Sequence, residues 1–529
     1  MATSACTHPP STPLSTTKTV PADGRTDVRL SVGVVRGVVD DGLRVFKGIP
    51  YAEAPIGEQR LEPAVASGPW HEPLDASRFG PSCPQDLAGL GWALGDEANV
   101  FSEDCLSLNV WAHDDVDNAP AKKRPVMVFI YGGGFIVGGS SWPTYDMAEL
   151  AREGDVVAVS LNYRLGALGY LALPSSTNGI QANLGLQDQL LALQWVQDNI
   201  AAFGGDPANV TLFGESAGAI SVCALLGVPD ADPLFHKAIL QSGLCMLGDA
   251  RPDGKGLLGQ TPPRDIAQRL IRELGCDPDD APKRCLQKKD VDDTLGLLSF
   301  RDVVSGDLSK LNGLSPVVDG QVLPEQPHLR LARGDVNKPL LLGTNRDEGK
   351  LFTSADIVWS RDQLDSHLKA YVVDDAHRAK LMQLYDEKSF PSPKDAWVAF
   401  MSEVVFICPT MKTTQAASAH MPVFSYHFTH TPTSLDLIGP AHAVELPFVF
   451  GTFDSMRIAP DDDDQALHTF MRQAWTSFAH HGAPQTQPEW PAFSSSSPHV
   501  MRLRLPTKAS TTAVRGGRCA ALSELGLVP

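Results

Sequence analysis

The stretch Val210-Thr211-Leu212-Phe213-Gly214-Glu215-Ser216-Ala217-Gly218-Ala219-Ile220-Ser221-Val222-Cys223-Ala224-Leu225 reads as strand, five-residue turn and helix in immediate succession. Glycines on either side of the turn let the chain reverse without a Cβ clash. The serine between them is then held in a strained conformation with its hydroxyl thrust out above the sheet. Ser216 is therefore the candidate nucleophile. The pentapeptide alone is a weak signal, because a Gly-rich turn carrying a solvated serine is spelled the same way. The rest of the chain has to decide.

Working outward, Pro125 to Tyr131 and Val156 to Leu161 are continuous apolar runs, the pattern of parallel strands buried on both faces. Leu186 to Ile200 has helical spacing, with Leu190, Leu193 and Val196 on one face, and leads through Gly204-Gly205-Asp206-Pro207 into the nucleophile strand. Val34 to Ile49 alternates around Asp40-Asp41-Gly42, which predicts a hairpin. Lys338 to Leu342 and Pro422 to Phe428 predict later strands. Alternating strands and helices argue for an α/β fold with a mostly parallel central sheet covered on both faces. Gly243 to Arg264, rich in Gly, Pro and charge, is expected to be a surface excursion. Asp461 to Asp464 precede apolar residues at helical intervals and are read as a helix start that offsets the macrodipole rather than as a metal site.

The chain has 529 residues, enough for several domains or one large α/β body with insertions. A formal charge of -18 disfavours nucleic acid and anionic membrane surfaces as partners, since both need a positive field. No apolar run reaches the length of a membrane span. Residues 1–28 lack the apolar core of a signal peptide and are expected to be a disordered or processed tail before a single domain at 29–529. Nine cysteines, at 6, 83, 105, 223, 245, 276, 285, 408 and 519, show no metal-ligand spacing, and their odd number leaves at least one thiol free if no partner chain is involved. Cys223 is read as a core residue.

A serine hydroxyl needs a general base, a carboxylate to hold that base in the right tautomer, and donors for the oxyanion. Gly132-Gly133-Gly134-Phe135, directly after the strand ending at Tyr131, supplies amides unobstructed by side chains, and the Ala217 amide follows the nucleophile. Asp347-Glu348-Gly349 follows the Lys338 to Leu342 strand, where sheet topology puts an acid, and either carboxylate could serve. Ten histidines lie beyond it. His442 is favoured because it stands in the loop after the Pro422 to Phe428 strand and before Leu446 to Phe450, whereas His427 is in a strand and His480-His481 end a helix.

Several further segments occur in order: Phe46-Lys47-Gly48-Ile49-Pro50-Tyr51-Ala52, Ser102 to Asn109, Phe203 to Pro207, Gln241-Ser242-Gly243 and His442-Ala443-Val444-Glu445-Leu446-Pro447-Phe448. With the glycine turn, the serine pentapeptide and Asp347-Glu348-Gly349, they span about 30 to 480. On these the chain resembles the type-B carboxylesterase family, which includes cholinesterases, fungal lipases and bacterial para-nitrobenzyl esterases. The resemblance implies an α/β-hydrolase fold with large loop and helical insertions. It implies a catalytic triad of Ser216, Glu348 and His442, and an oxyanion hole at Gly133, Gly134 and Ala217. Glu215 and Ser242 are implied as supporting residues. Disulfides Cys83–Cys105 and Cys276–Cys285 are implied, and Cys408 and Cys519 resemble a third bridge of some relatives. Arg60 with Glu103 and Arg164 with Asp188 resemble the family's internal ion pairs.

Two departures stand out. Lys310-Leu311-Asn312 lacks the aromatics that narrow the acyl pocket of cholinesterases, and Trp92 lies in a first disulfide loop shorter than theirs. The expectation is a serine esterase acting on a small-molecule ester without metal or organic cofactor. A lipase or specialised detoxifying or biosynthetic esterase is the alternative within catalysis, and a non-catalytic binding module on the same fold is the alternative outside it. The missing signal peptide suggests the cytosol, whereas disulfides suggest an oxidising space.

Overall fold

The computed structural model describes residues 24–87, 100–117, 123–172, 181–249, 254, 261–295, 314–353, 358, 360–369, 371–372, 374–511 and 514–528. Trp92 and residues 310–312 lie outside them, as does most of the stretch expected as a tail. Strand β1, Arg25–Leu30, already pairs with its neighbour inside that stretch, so ordered structure begins before residue 29.

The strands in chain order are β1, β2 (Gly33–Asp40), β3 (Leu43–Pro50), β4 (Leu74–Asp75), β5 (Ser107–His113), β6 (Arg124–Ile130), β7 (Val157–Leu161), β8 (Gly205–Glu215) and β9 (Lys237–Gln241). They continue as β10 (Gly248–Asp249), β11 (Val317–Val318), β12 (Leu340–Asn345), β13 (Val423–Phe428), β14 (Val500–Leu503) and β15 (Lys508–Ser510). One sheet runs β1-β2-β3-β5-β7-β6-β8-β9-β12-β13-β14-β15, with β4 beside β2, while β10 and β11 form a separate pair. All pairings from β7 to β14 along this order are parallel, and the two ends are antiparallel.

Local chemistry explains the pieces. The β2–β3 hairpin turns at Asp41 and Gly42 with φ of 43° and 77°, both positive as a type I′ turn demands. Every residue of β6 and β7 is buried, which is the lot of strands sandwiched between helical layers. Helix Ala217–Gly227 packs on β8 and β9, and helix Asp462–His481 packs on β6 and β8. The latter opens with a capping box in which Asp461 and Asp464 serve each other's backbone amides, so the acidic run is a helix start. No helix among the described residues is long and apolar enough to cross a membrane.

One expectation fails. Gly243 to Leu247, expected to begin a surface excursion, is buried. Cys245 is disulfide-bonded to Cys223 in the core, and Leu247 exchanges two hydrogen bonds with the Gln326 side chain. Composition reported the glycine and missed the tether. Cys223 is in the core, as read, but also cross-linked.

Because β6, β8, β9, β12 and β13 run in parallel, their carboxyl ends emerge along one edge. The glycine turn follows β6, Ser216 follows β8, Ser242 follows β9, Glu348 follows β12, and the loop carrying His442 follows β13. An open parallel sheet gathers its chemistry at that edge.

Candidate active site

Ser216 has φ 56° and ψ −124°, outside the ordinary regions for a residue with a Cβ, a conformation costing roughly 1–3 kcal/mol. It is held there from both sides: its amide donates to Gln241 O (2.9 Å), and its carbonyl accepts the Ile220 amide (2.9 Å). The neighbouring glycines are sterically required. A Cβ on Gly218 would sit 1.9 Å from Ile130 O, and one on Gly214 would sit 2.6 Å from the Gly218 carbonyl carbon.

The glycine turn lies directly against the elbow, since a Cβ at Gly132 would come within 2.9 Å of Ser216 Cβ. Gly133 and Gly134 have φ of 104° and 65°, and the Gly133 carbonyl accepts the amides of Ile136 and Val137. The turn is thus closed through its carbonyl side. Ala217 begins the helix after the serine, and its amide belongs to the helix's positive end.

His442 and Glu348, 94 residues apart, meet through Nδ1 and Oε2 at 2.6 Å, and both are buried. The other oxygen of Glu348 accepts the Ser242 hydroxyl (2.6 Å) and the Asn345 amide (2.6 Å), which fixes the carboxylate's rotation. Asp347, the alternative acid, turns away to Arg346 (2.8 Å) and Lys350 (3.8 Å). The imidazole packs against Phe406 and Phe352, with ring centroids 4.8 and 5.1 Å away. Phe406 belongs to a π-helical turn, Ser402–Ile407, and Ser402 Oγ accepts the Gly349 amide (2.9 Å) beside Glu348. Single π-turns recur where a helix must present side chains to a site.

His442 Nε2 is buried and makes no hydrogen bond among the described residues; Glu215 Oε1 lies 3.1 Å from it. Burial pushes the Glu215 carboxyl up to about 8, with Glu445 and Glu348 adding to the push and His442 opposing it. Burial works against a charged His442, yet Glu215, Glu348 and Glu445 outweigh it and raise the imidazole to about 9.

Glu445 is a residue to which the sequence reading gave no role. Fully buried, it accepts from Asn345 Nδ2 (2.5 Å) and from Gln241 Nε2 (3.2 Å), whose own Oε1 accepts the Trp475 indole (2.9 Å). Burial, reinforced by Glu348, lifts it to about 7. A signal was present: an acidic residue inside the apolar run from Val444 to Phe450 must find a polar partner in the core.

The remaining expected pairs also form. Cys83–Cys105, Cys276–Cys285 and Cys408–Cys519 are bonded, with Cα separations of 5.0, 5.9 and 5.3 Å. Eight of the nine cysteines are thereby paired once Cys223–Cys245 is included, and Cys6 lies outside the described residues. Arg60 clasps Glu103 through two hydrogen bonds (2.6 and 2.5 Å), and Arg164 clasps Asp188 likewise (2.8 and 2.6 Å).

A parallel sheet with a strained serine at the tip of a central strand defines an α/β-hydrolase. Comparison with known proteins narrows this: the profile described as "Carboxylesterase family" matches residues 24–522. The para-nitrobenzyl esterase of Bacillus subtilis (strain 168) is 38% identical over 476 residues, covering 88% of this chain and 92% of that protein. The cholinesterase of Mus musculus is 33% identical over 530 residues, covering 93% and 85%. A solved thermophilic PNB esterase superposes with a TM-score of 0.79 at 34% identity, covering 92% of this chain and 97% of its own. The chain belongs to the carboxylesterase family and is a carboxylic ester hydrolase.

Proposed function

We propose that the protein hydrolyses small-molecule carboxylic esters through an acyl-enzyme on Ser216, with His442 as general base and acid and Glu348 as its orienting carboxylate. The observation that carries this reading is the 2.6 Å contact between His442 Nδ1 and Glu348 Oε2, with His442 Nε2 lying 3.1 Å from Glu215, the residue that precedes a serine in elbow geometry. A proton on Nδ1 leaves Nε2 with its lone pair free to take the Ser216 proton as Oγ attacks the ester carbonyl. The amides of Gly133, Gly134 and Ala217 receive the oxyanion, each such donor contributing about 3–4 kcal/mol to the transition state. His442 then protonates the departing alcohol, and water repeats the sequence on the acyl-enzyme.

The excess of carboxylates has a use in this scheme. Three of them surround one imidazole, and Glu215 holds protons well above the usual carboxylate range. Glu348 stabilises the imidazolium that forms during attack, and Glu215 while ionised favours the same form, so together they move upward the pH at which His442 becomes neutral and competent as a base.

Ser216→Ala tests the reading. Release of nitrophenol from a short-chain nitrophenyl ester is expected to fall by about 10⁶-fold while the folded state persists. Turnover retained by the purified variant would remove Ser216 from the chemistry. A panel of acyl-chain lengths, soluble and emulsified, separates an esterase from a lipase.

A further inference from the structure

We propose that the Cys223–Cys245 disulfide is a positioning element for the acid–base pair, pinning the helix that carries the nucleophile's turn to the loop that orients Glu348. The inference rests on the roles proposed above for Ser216, Glu348 and His442.

Cys223 lies seven residues beyond Ser216, two helical turns into Ala217–Gly227. Cys245 lies three residues beyond Ser242, the serine whose hydroxyl donates to Glu348 Oε1 at 2.6 Å. The bridge therefore joins the element following the nucleophile to the element supporting the acid. Both cysteines are at most 1% exposed, so the bond lies inside the core rather than on a surface loop.

The loop it holds is under constraint. Ser242 has φ 53°, a left-handed conformation that a residue with a Cβ adopts only when its surroundings hold it there. Gly243 lies backbone-to-backbone on the first turn of the helix, where an added Cβ would meet Ala219 Cβ at 2.4 Å and the Ala219 carbonyl carbon at 2.9 Å. Its carbonyl accepts Thr410 Oγ1 (2.9 Å), and the Cys245 carbonyl accepts the His328 amide (3.3 Å). A bridge with Cα atoms 5.3 Å apart, within the ordinary range for a disulfide, closes this side of the loop covalently. Without it the strained Ser242 can relax and withdraw its hydroxyl. Glu348 Oε1 then keeps the Asn345 amide alone among its described donors, and the carboxylate gains freedom to turn away from Nδ1.

The test is a Cys223→Ala/Cys245→Ala double variant assayed on a short-chain nitrophenyl ester. Expected is a fall in kcat of about 10- to 100-fold, the scale set by a misplacement near 1 Å, with KM within about twofold. A Cys276→Ala/Cys285→Ala variant, which opens a loop next to Leu286, whose carbonyl accepts from Arg60, and which makes no hydrogen bond to Ser242 or Glu348 among the described residues, is expected to lower the thermal midpoint and keep kcat. In a Ser242→Ala background, removing the bridge should cost less than about twofold, because both changes act on one contact. If the double variant does not fold, Cys223→Val/Cys245→Ala restores volume and takes the same measurements. A lowered thermal midpoint with unchanged kcat, a full additional loss in the Ser242→Ala background, or two free thiols at 223 and 245 in fully active enzyme would each overturn the proposal. Labelling by an organophosphate distinguishes the failures. Wild type left unlabelled at Ser216 sinks the triad reading itself, whereas wild type and variant labelled at equal rates sinks only the disulfide.

Discussion

Arg164 and Asp188 are one clustering of buried charge in this molecule, and Glu215, Glu348, Glu445 and His442 are another. In the first, side chains only 4% and 0% exposed carry one positive and one negative charge. The guanidinium meets both carboxylate oxygens, and its third nitrogen donates to Glu62 O (2.7 Å). In the second, three carboxylates compete around a single imidazole, leaving Nε2 without a hydrogen bond among the described residues. Balanced charge with every direction used makes a lock. Unbalanced charge makes a site where a proton has several possible homes, which is what acid–base catalysis requires.

The contrast can be broken most forcefully at Glu348. Glu348→Gln keeps the shape and removes the charge that fixes the imidazole tautomer, so kcat should fall by about 10⁴-fold with little change in thermal midpoint. Asp347→Asn, one residue away but paired with Arg346 and Lys350, should leave kcat within a few-fold. If the two variants exchange these outcomes, the acid has been misassigned.

Asp188→Asn probes the lock and should behave in the opposite sense. It strands a buried guanidinium, and denaturant titration should show a loss of about 3–5 kcal/mol, whereas kcat of the folded fraction stays within twofold. A large kcat effect without a stability loss would mean that Arg164 and Asp188 belong to the chemistry after all.

A smaller effect comes from Glu215→Gln, read in the pH dependence of kcat/KM. His442 is a base only when neutral, and nearby carboxylates favour its protonated form, so its raised pKa makes activity disappear from a higher pH as acid is added. Removing the Glu215 charge should shift the acid limb to lower pH, toward the ordinary imidazole value of about 6.5. Glu445→Gln should shift it in the same direction by less, since its charge is the weakest of the three acting on His442. A limb that stays put in both variants would mean that these carboxylates are already neutral in the resting enzyme.

Much of the fold was legible because its signals are local. Continuous apolar runs marked β6 and β7, the Asp41-Gly42 turn marked the hairpin, and Asp461 with Asp464 marked a helix start. The elbow was legible because the spacing of Gly214, Ser216 and Gly218 is itself a local pattern, although the clash that requires glycine at 218 is with Ile130 O on the neighbouring strand. Glu445, the Phe352–Phe406 wall around His442 and the burial of Gly243 to Leu247 were not, because each depends on segments distant in the chain. A glycine-rich composition suggests exposure, and nothing near Cys245 says that its partner is on the helix that follows Ser216.

The sequence by itself therefore determined the local pattern, since periodicity and turn-residue spacing are read from each residue and its immediate neighbours: which serine stands on a glycine-flanked turn, where bare amides lie, and which strands are buried on both faces. On the residues alone Asp347 and Glu348 remained equivalent, and only the resemblance favoured one. The folded chain separates them, because β12 and β13 run side by side and carry Glu348 Oε2 to 2.6 Å from His442 Nδ1 while Asp347 faces Arg346. Side-chain direction and partner depend on register and packing across long sequence distances. Tertiary structure alone decides those.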